Sequence, residues 1–298
     1  MNKNYVINNN IMKKYCFILD TGSSYELVNG QDDTFVVPIQ IVEKNKKGET
    51  NTFEDGINFF ENSLEEAFAN GHDVSTAQPN VAKAEELVKE CLQNYEKVIF
   101  IPLSKEISGF YNSMKNLEKK YPDLIVVDSQ TMGIGGNWIK ENIDKALKND
   151  EIKLNSKAIN EFVLEKNKKW CGSLIVADLS CLSKSGRISK FKAMLGNLLK
   201  LKVLIKFDGP LTYESKDMNI EVSVSKALKM IDNKINFSKN GISRITIMGE
   251  LNDEKMNKKL IEFITKKLNV ETFIVSKLPT PIKVCTGLNT FSIIIESK

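Results

Sequence analysis

The 298-residue chain holds one histidine, His72, and two arginines, Arg187 and Arg244, among its 42 cations. A single imidazole removes most histidine-based acid–base and metal schemes, and no Gly-x-Ser-x-Gly elbow is present to build a hydrolase triad around it. His72 reads as a solvated loop residue in Asn70-Gly71-His72-Asp73. The remaining cations are lysines, strongly hydrated point charges that recognise phosphate poorly in the two-pronged manner of arginine. Acidic residues number 38 and the formal charge is +4, a balance that argues against a nucleic-acid partner. The five cysteines (Cys16, Cys91, Cys171, Cys181, Cys285) are odd in number, scattered, and never paired as Cys-x-x-Cys. That pattern fits reduced thiols better than a disulfide framework or a zinc site.

Long apolar runs are also missing. Nothing approaches the ~18 residues of a membrane span, and Tyr15–Leu19 is too short for a secretory signal. The expectation is a soluble, cytoplasmic protein with no integral membrane segment, whose polar, Asn-rich residues 1–14 are set apart as a candidate disordered terminus. No Gly-x-x-x-x-Gly-Lys-Ser/Thr loop, EF-hand or His-Glu-x-x-His is found, so no cofactor or metal is expected. Gly133-Ile134-Gly135-Gly136-Asn137-Trp138 begins like a dinucleotide fingerprint, but Trp138 occupies the third glycine's place; a tight turn before a helix is the preferred reading.

Short β-branched runs alternating with helical patterns fill the first half. Tyr15–Leu19, Val98–Leu103 and Leu124–Asp128 read as buried strands, and Phe35–Val42 as one extended stretch demoted by Pro38. Ile57–Ala69 has helical spacing, with Ile57, Phe60, Leu64, Ala67 and Phe68 on one face. Val81–Tyr95 follows Pro79 as a second helix, and Ser108–Tyr121 forms a third. Continuous apolar strands alternating with helices predict a mainly parallel sheet with helices on both faces. The chain turns polar at Lys148–Ser156, and an α+β pattern follows, including a helix near Phe191–Leu199. The fold class read from this is α/β with two domains, residues 15–150 with the parallel sheet and 151–298 as an α+β domain.

Strands that end in small hydroxyl residues carry the chemistry. The first runs into Asp20-Thr21-Gly22-Ser23-Ser24, another into Ser104 and Ser108-Gly109, a third into Ser129-Gln130-Thr131, and Ser75-Thr76-Ala77-Gln78-Pro79 opens the next helix. In a parallel sheet these turns gather on one edge, where hydroxyls and free helix N–H groups make a site for an anion. Capping of the following helix is the competing role for each hydroxyl.

In this order, with Leu179-x-x-Leu182-x-Lys184-x-Gly186-Arg187-Ile188-Ser189 completing the series, the motifs resemble the DegV family of bacterial fatty-acid-binding proteins. The match runs from about Tyr15 to Glu296. The resemblance implies a long-chain fatty acid in an apolar tunnel in the cleft between the domains, its carboxyl group held by hydroxyls. It also implies a protein without catalysis or a nucleotide site of its own, one that presents the acid to a separate ATP-binding fatty-acid kinase subunit. Carried over by position, the carboxyl ligands fall on Thr76 and on Ser108, beside Gly109, and the backbone N–H of Ser108 is expected to point at the same oxygen. The motif arginine falls on Arg187, and Cys285 stands where the family has a histidine of the carboxyl network. Further departures are Ala77 for a second hydroxyl, Phe110 after Ser108-Gly109, and Lys216-Asp217-Met218 where an arginine is usual. Tunnel walls are sought in apolar stretches such as Phe59-Phe60 and Met194–Leu201.

Two other readings remain open on sequence. One is an α/β enzyme acting on a small phosphorylated or carboxylated metabolite, with Asp20 or Asp128 as its acid–base group. The other is a subunit with no ligand of its own.

Overall fold

The computed structural model describes residues 12–23, 30–177, 179–187, 201–249, 254–270 and 273–298. The expectations for the first eleven residues, for Ser24, for Ile188-Ser189, for the helix near Phe191–Leu199 and for the wall stretch from Met194 therefore lie outside the described residues.

β1 (Lys13–Asp20), β2 (Thr34–Val37), β6 (Tyr95–Ile101) and β7 (Leu124–Val126) form a four-stranded sheet in the order β2-β1-β6-β7, parallel throughout. Both of its faces are covered, which is why its strands read as unbroken apolar runs. Cys16 and Ile18 point into a core completed by α2 (Val81–Cys91) and α3 (Phe110–Glu118), through Ala84, Val88, Phe110 and Met114. Phe17 and Leu19 point the other way, to Ile139 and Ile143 of α4 (Ile134–Lys148) and Ile159 and Val163 of α5 (Ser156–Asn167). Asn80 caps α2, its Oδ1 accepting from the N–H of Ala82 and Lys83, so the helix starts after Asn80 and ends at Cys91, four residues short of Tyr95.

The second half carries a separate six-stranded sheet. Its strands are β8 (Trp170–Val176), β9 (Lys202–Phe207), β10 (Leu211–Asp217), β11 (Ile242–Met248), β12 (Ile274–Ser276) and β13 (Thr290–Ser297). Their order is β10-β9-β8-β13-β11-β12, with β11–β12 the parallel pair. α7 (Ile220–Ile235), the short α8 (Phe237–Asn240) and α9 (Glu254–Leu268) lie on one face, over Ile175, Ile245, Ile247 and Phe291. The other face carries Leu174, Val176, Ile205, Phe207 and Ile294, and shares one core with Ile39, Leu103, Met132 and Trp138 of the first half. The two halves thus meet where the parallel strands end.

A third sheet, absent from the sequence reading, lies beside this junction. β3 (Gln40–Lys44) pairs antiparallel with β4 (Thr50–Glu54) and β5 (Asp73–Ala77). Pro38 does more than weaken the stretch Phe35–Val42. It divides it into β2 and β3, which belong to different sheets. The helix expected from Ile57 starts at α1 (Glu61–Ala69). Ahead of it the carbonyl of Glu54 accepts from the N–H of Ile57 and Asn58, and Gly56 turns at φ 76°. This loop leaves Ile57 and Phe60 52% and 50% exposed and buries Phe59 instead. α3 likewise begins at Phe110, after Ser108 and Gly109.

Candidate functional site

The hydroxyl turns do gather at one sheet edge, but most of them are engaged by backbone. Ser23 Oγ donates to the Asp20 carbonyl (2.7 Å) and Ser129 Oγ to that of Pro102 (2.7 Å). Ser104 Oγ reaches the Gly209 carbonyl at 3.2 Å and staples the two halves. Thr76 and Ser108 differ from these, because both border an open cavity.

That cavity has a volume of about 100 Å³. Its apolar wall comes from both halves, with Ile39, Leu103, Leu174, Leu182, Leu211 and Ile282 prominent. Thr76, Ser108, Gly109, Arg187 and Cys285 all line it, so all five site residues expected from the sequence stand around one space. A second, more polar cavity of about 430 Å³ opens on the other side of Thr76, Arg187 and Cys285, bordered by His72, Asp73, Ser75 and Lys184. Together with Ser185, which also lines both, these residues form the seam between an apolar chamber and a polar one.

Thr76, Arg187 and Cys285 are held by different elements. Thr76 sits on β5, opposite Ile41 of β3. Arg187 follows α6 (Leu179–Lys184) and the Gly186 turn, where φ is +73°. Its Nη1 donates to the Ser185 carbonyl at 2.7 Å and its Nη2 to Thr76 Oγ1 at 3.1 Å. Both acceptors are neutral, and among the described residues no carboxylate pairs with Arg187. Cys285, on α10 (Thr280–Thr286), lies 3.7 Å from Thr76 Oγ1. Burial pushes its thiol up, against the pull of the Arg187 charge, so it stays a neutral, weak donor.

Ser108 faces the cavity by its side chain alone. Its N–H is bonded to the Ser104 carbonyl at 3.0 Å, which overturns the expectation that this N–H points at a ligand. Ser108 Oγ accepts from Phe110 N at 3.3 Å, leaving its proton for a further acceptor. Gly109 lies at the start of α3, and a Cβ there would come no closer than 3.8 Å to Gln78 Oε1.

Sequence reasoning missed the clamp on α10. The buried carboxylate of Asp55 accepts from the hydroxyls of Thr21 and Thr280, the latter at the start of α10. Burial pushes Asp55 up to about 6 against those two bonds. Glu61 pairs with Lys277 at 2.8 Å and with Lys283, whose side chain is 3% exposed. A lysine inside the apolar run Pro281-Ile282-Lys283-Val284-Cys285 was the available signal.

Asp20 and Asp128 border neither cavity. Asp20 is fully buried, and its oxygens accept from Gly22 N (3.0 Å) and Leu103 N (2.8 Å). Burial pushes it to about 7 although both N–H groups favour the charge. Asp128 pairs with Lys105 at 2.8 Å. His72 is not freely solvated; its Nδ1 lies 2.5 Å from Glu43 Oε1.

The family description "uncharacterised protein, DegV family" matches residues 18–298. A DegV domain-containing protein of Ureaplasma parvum is 30% identical over 212 residues, 70% of this chain and 97% of that one. Another, from Mycoplasma genitalium, is 26% identical over 299 residues, covering 96% and 100%. Among solved structures, a fatty acid binding protein from Bacillus subtilis superposes with a TM-score of 0.78 at 22% identity, covering 96% of this chain and all of that one. A stearic acid-binding protein from Eubacterium ventriosum gives 0.77 at 17%, covering 95% and 98%. At these identities the structures speak for the fold.

Proposed function

This chain belongs to the DegV family, and from that premise we propose that it binds a long-chain fatty acid, with the acyl tail in the apolar chamber and the carboxyl group at the seam. The observation that carries the reading is Arg187. It is a cation whose N–H groups meet only neutral acceptors among the described residues, at the inner end of a polar opening and the rim of an apolar one. An amphiphile with one negative end fits that sequence of surfaces. Thr76 and Ser108 would donate hydroxyl protons to the carboxylate, Arg187 would neutralise it, and Cys285 and Gly109 would close the wall around it.

The tail supplies most of the affinity. Burial contributes about 0.8 kcal/mol per methylene, so a 16-carbon chain gains on the order of 10 kcal/mol before the cost of ordering it. Thr76 and Ser108 come from the domain proposed for residues 15–150, Arg187 and Cys285 from that for 151–298, so the ligand would lie between the two. The chain acts in this reading as a cytoplasmic carrier, not an enzyme. Lacking a phosphate loop, it would present the carboxyl group through the polar opening to a separate ATP-binding kinase subunit. The alternative with Asp20 or Asp128 as acid–base groups is disfavoured, since both stand away from the cavities.

The test is organic extraction of protein purified from a bacterial host, followed by mass spectrometry. A stoichiometric fatty acid is expected. Changing Thr76 and Ser108 together to Ala should weaken palmitate binding by about 2 kcal/mol; an unchanged affinity, or an extract with no acyl chain, overturns the reading.

A further inference from the structure

Two buried acids outside the proposed site hold the backbone of its walls. Asp20 ends β1 and is fully buried, and Asp55, directly after β4, is 6% exposed. Asp20 Oδ2 accepts from the N–H of Leu103 at 2.8 Å, and its Oδ1 from that of Gly22 at 3.0 Å. Leu103 is a chamber residue, and it lies so close over Gly22 that a Cβ there would stand 2.6 Å from it. Ile39, another wall residue, is pinned on both sides. Its N–H donates to Thr21 Oγ1 at 3.1 Å, and its carbonyl accepts from the Asp55 N–H at 3.0 Å. The Asp55 carboxylate joins Thr21 to Thr280, and the helix that Thr280 opens brings Pro281, Ile282 and Cys285 to the chamber. Three separate stretches of wall, two from the first half and one from the second, thus depend on one pair of carboxyl groups.

Among the described residues no cation offsets the pair. The charge that bears on Asp20 is that of Asp55, of the same sign. Charged side chains on the surrounding elements are engaged elsewhere: Glu54 with Lys83, Glu61 with Lys277 and Lys283, and Lys105 with Asp128. Glu106 is exposed, and the Cys285 thiol lies against Thr76. Burial therefore acts on both acids without a counter-charge and favours a proton on each.

We propose that Asp20 and Asp55 are positioning residues of the chamber, and that the charge on this pair sets how tightly an acyl tail is held. One proton between the two keeps Leu103, Ile39 and α10 on their hydrogen bonds. With both acids ionised, two buried like charges repel across the turn Thr21–Ser23, water is drawn in and the walls part. Ligand binding favours the protonated pair, so affinity falls as pH rises through the range in which the pair loses its proton. Asp20 acts here through Leu103 and touches no ligand. The inference rests on the fatty-acid reading, since the tail is what these walls grip.

Dodecanoate, whose own carboxyl group stays ionised between about pH 6 and 8, is the probe. Its affinity for the full chain is read by calorimetry. The parent should bind about tenfold more weakly at pH 8 than at pH 6, a net uptake of roughly half a proton per ligand. Asp55→Asn, which keeps an oxygen for Thr21 and Thr280, should cut that difference to about threefold. Asp55→Ala frees α10 and should bind about tenfold more weakly than the parent already at pH 6. Asp20→Asn turns an NH₂ toward one of two N–H donors and should lose affinity at both pH values. His72→Gln should keep the parental slope, whatever its affinity, because His72 stands on the polar side of the seam. Circular dichroism and melting temperature establish that each variant is folded. A parent affinity independent of pH, an Asp55→Asn profile as steep as the parent's, an Asp55→Ala protein binding as the parent does, or a flat His72→Gln profile overturns the inference and leaves the fatty-acid reading in place. Dodecanoate that binds none of these proteins at either pH overturns both.

Discussion

Arg187 and Thr76 lie 111 residues apart in the chain and meet through a 3.1 Å hydrogen bond from Nη2 to Oγ1. The bond spans the two halves of the molecule, from the turn after α6 to β5. It orients a charged donor and a hydroxyl toward one point, while the second guanidinium arm is anchored on the Ser185 carbonyl.

Replacing either partner should therefore affect ligand more than fold. Thr76→Val removes the hydroxyl at constant shape and should weaken palmitate binding about tenfold, near 1.4 kcal/mol. Arg187→Gln removes the charge and should lose roughly a hundredfold, within the 1.5–3 kcal/mol of a charge-assisted bond. Arg187→Lys should recover little, because a single ammonium cannot reach Ser185 and Thr76 in the same fork. Titration calorimetry separates these values; an Arg187→Gln protein binding as the parent does would remove the guanidinium from the site.

The glycines at the start of α4 serve close packing. Gly133 N–H bonds the Gly22 carbonyl at 2.7 Å, bringing this turn onto Thr21–Ser23. A Cβ on Gly136 would stand 2.6 Å from the Ser23 Cβ, too close for carbon atoms. Gly136→Ala should destabilise by about 1–3 kcal/mol in urea unfolding. Gly109→Ala, where φ is −70° and the nearest atom is 3.8 Å away, should stay within about 0.5 kcal/mol.

The buried acids set a pH dependence opposite to that of surface carboxylates. Asp55 is pushed up to about 6 and Asp20 to about 7, both by burial. Between pH 4.5 and 7 the native protein keeps protons that the unfolded chain has released, so stability falls as pH rises. Asp55→Asn, which still accepts from Thr21 and Thr280, should flatten the lower part of that slope and gain on the order of 2 kcal/mol over the parent at pH 8. Melting curves at half-unit pH steps are the check; parallel slopes for parent and variant would refute it.

The parallel sheet was legible because strands buried on both faces must be continuously apolar, as Cys16–Leu19 and Val98–Ile101 are. β4 and β5 were not, since Thr-Asn-Thr-Phe-Glu and Asp-Val-Ser-Thr-Ala form a thin, half-exposed sheet with no such run. Of the site, the hydroxyl clusters were visible as types, but which of them face a cavity depends on where each O–H finds its acceptor. Ser104 and Ser129 reach backbone carbonyls, whereas Thr76 and Ser108 border open space. The Asp55–Thr280 and Glu61–Lys283 contacts join residues more than 200 positions apart, a separation at which local pattern carries no information.

That last pair yields an asymmetric prediction. Lys283 is 3% exposed and its ammonium has Glu61 as its partner, while Glu61 is 21% exposed and also meets Lys277. Removing the acid strands a buried charge; removing the lysine leaves a partly exposed carboxylate that water and Lys277 still satisfy. Glu61→Gln should therefore cost about 2–3 kcal/mol, Lys283→Met less than 1 kcal/mol, and the double variant should recover most of the Glu61→Gln loss. Because α10 carries Cys285 and the wall residues Pro281 and Ile282, Glu61→Gln should also loosen the cavity and lower palmitate affinity, though Glu61 itself borders neither chamber. Equal losses for the two single variants in urea unfolding would mean that the ion pair does not hold α10 in the manner described.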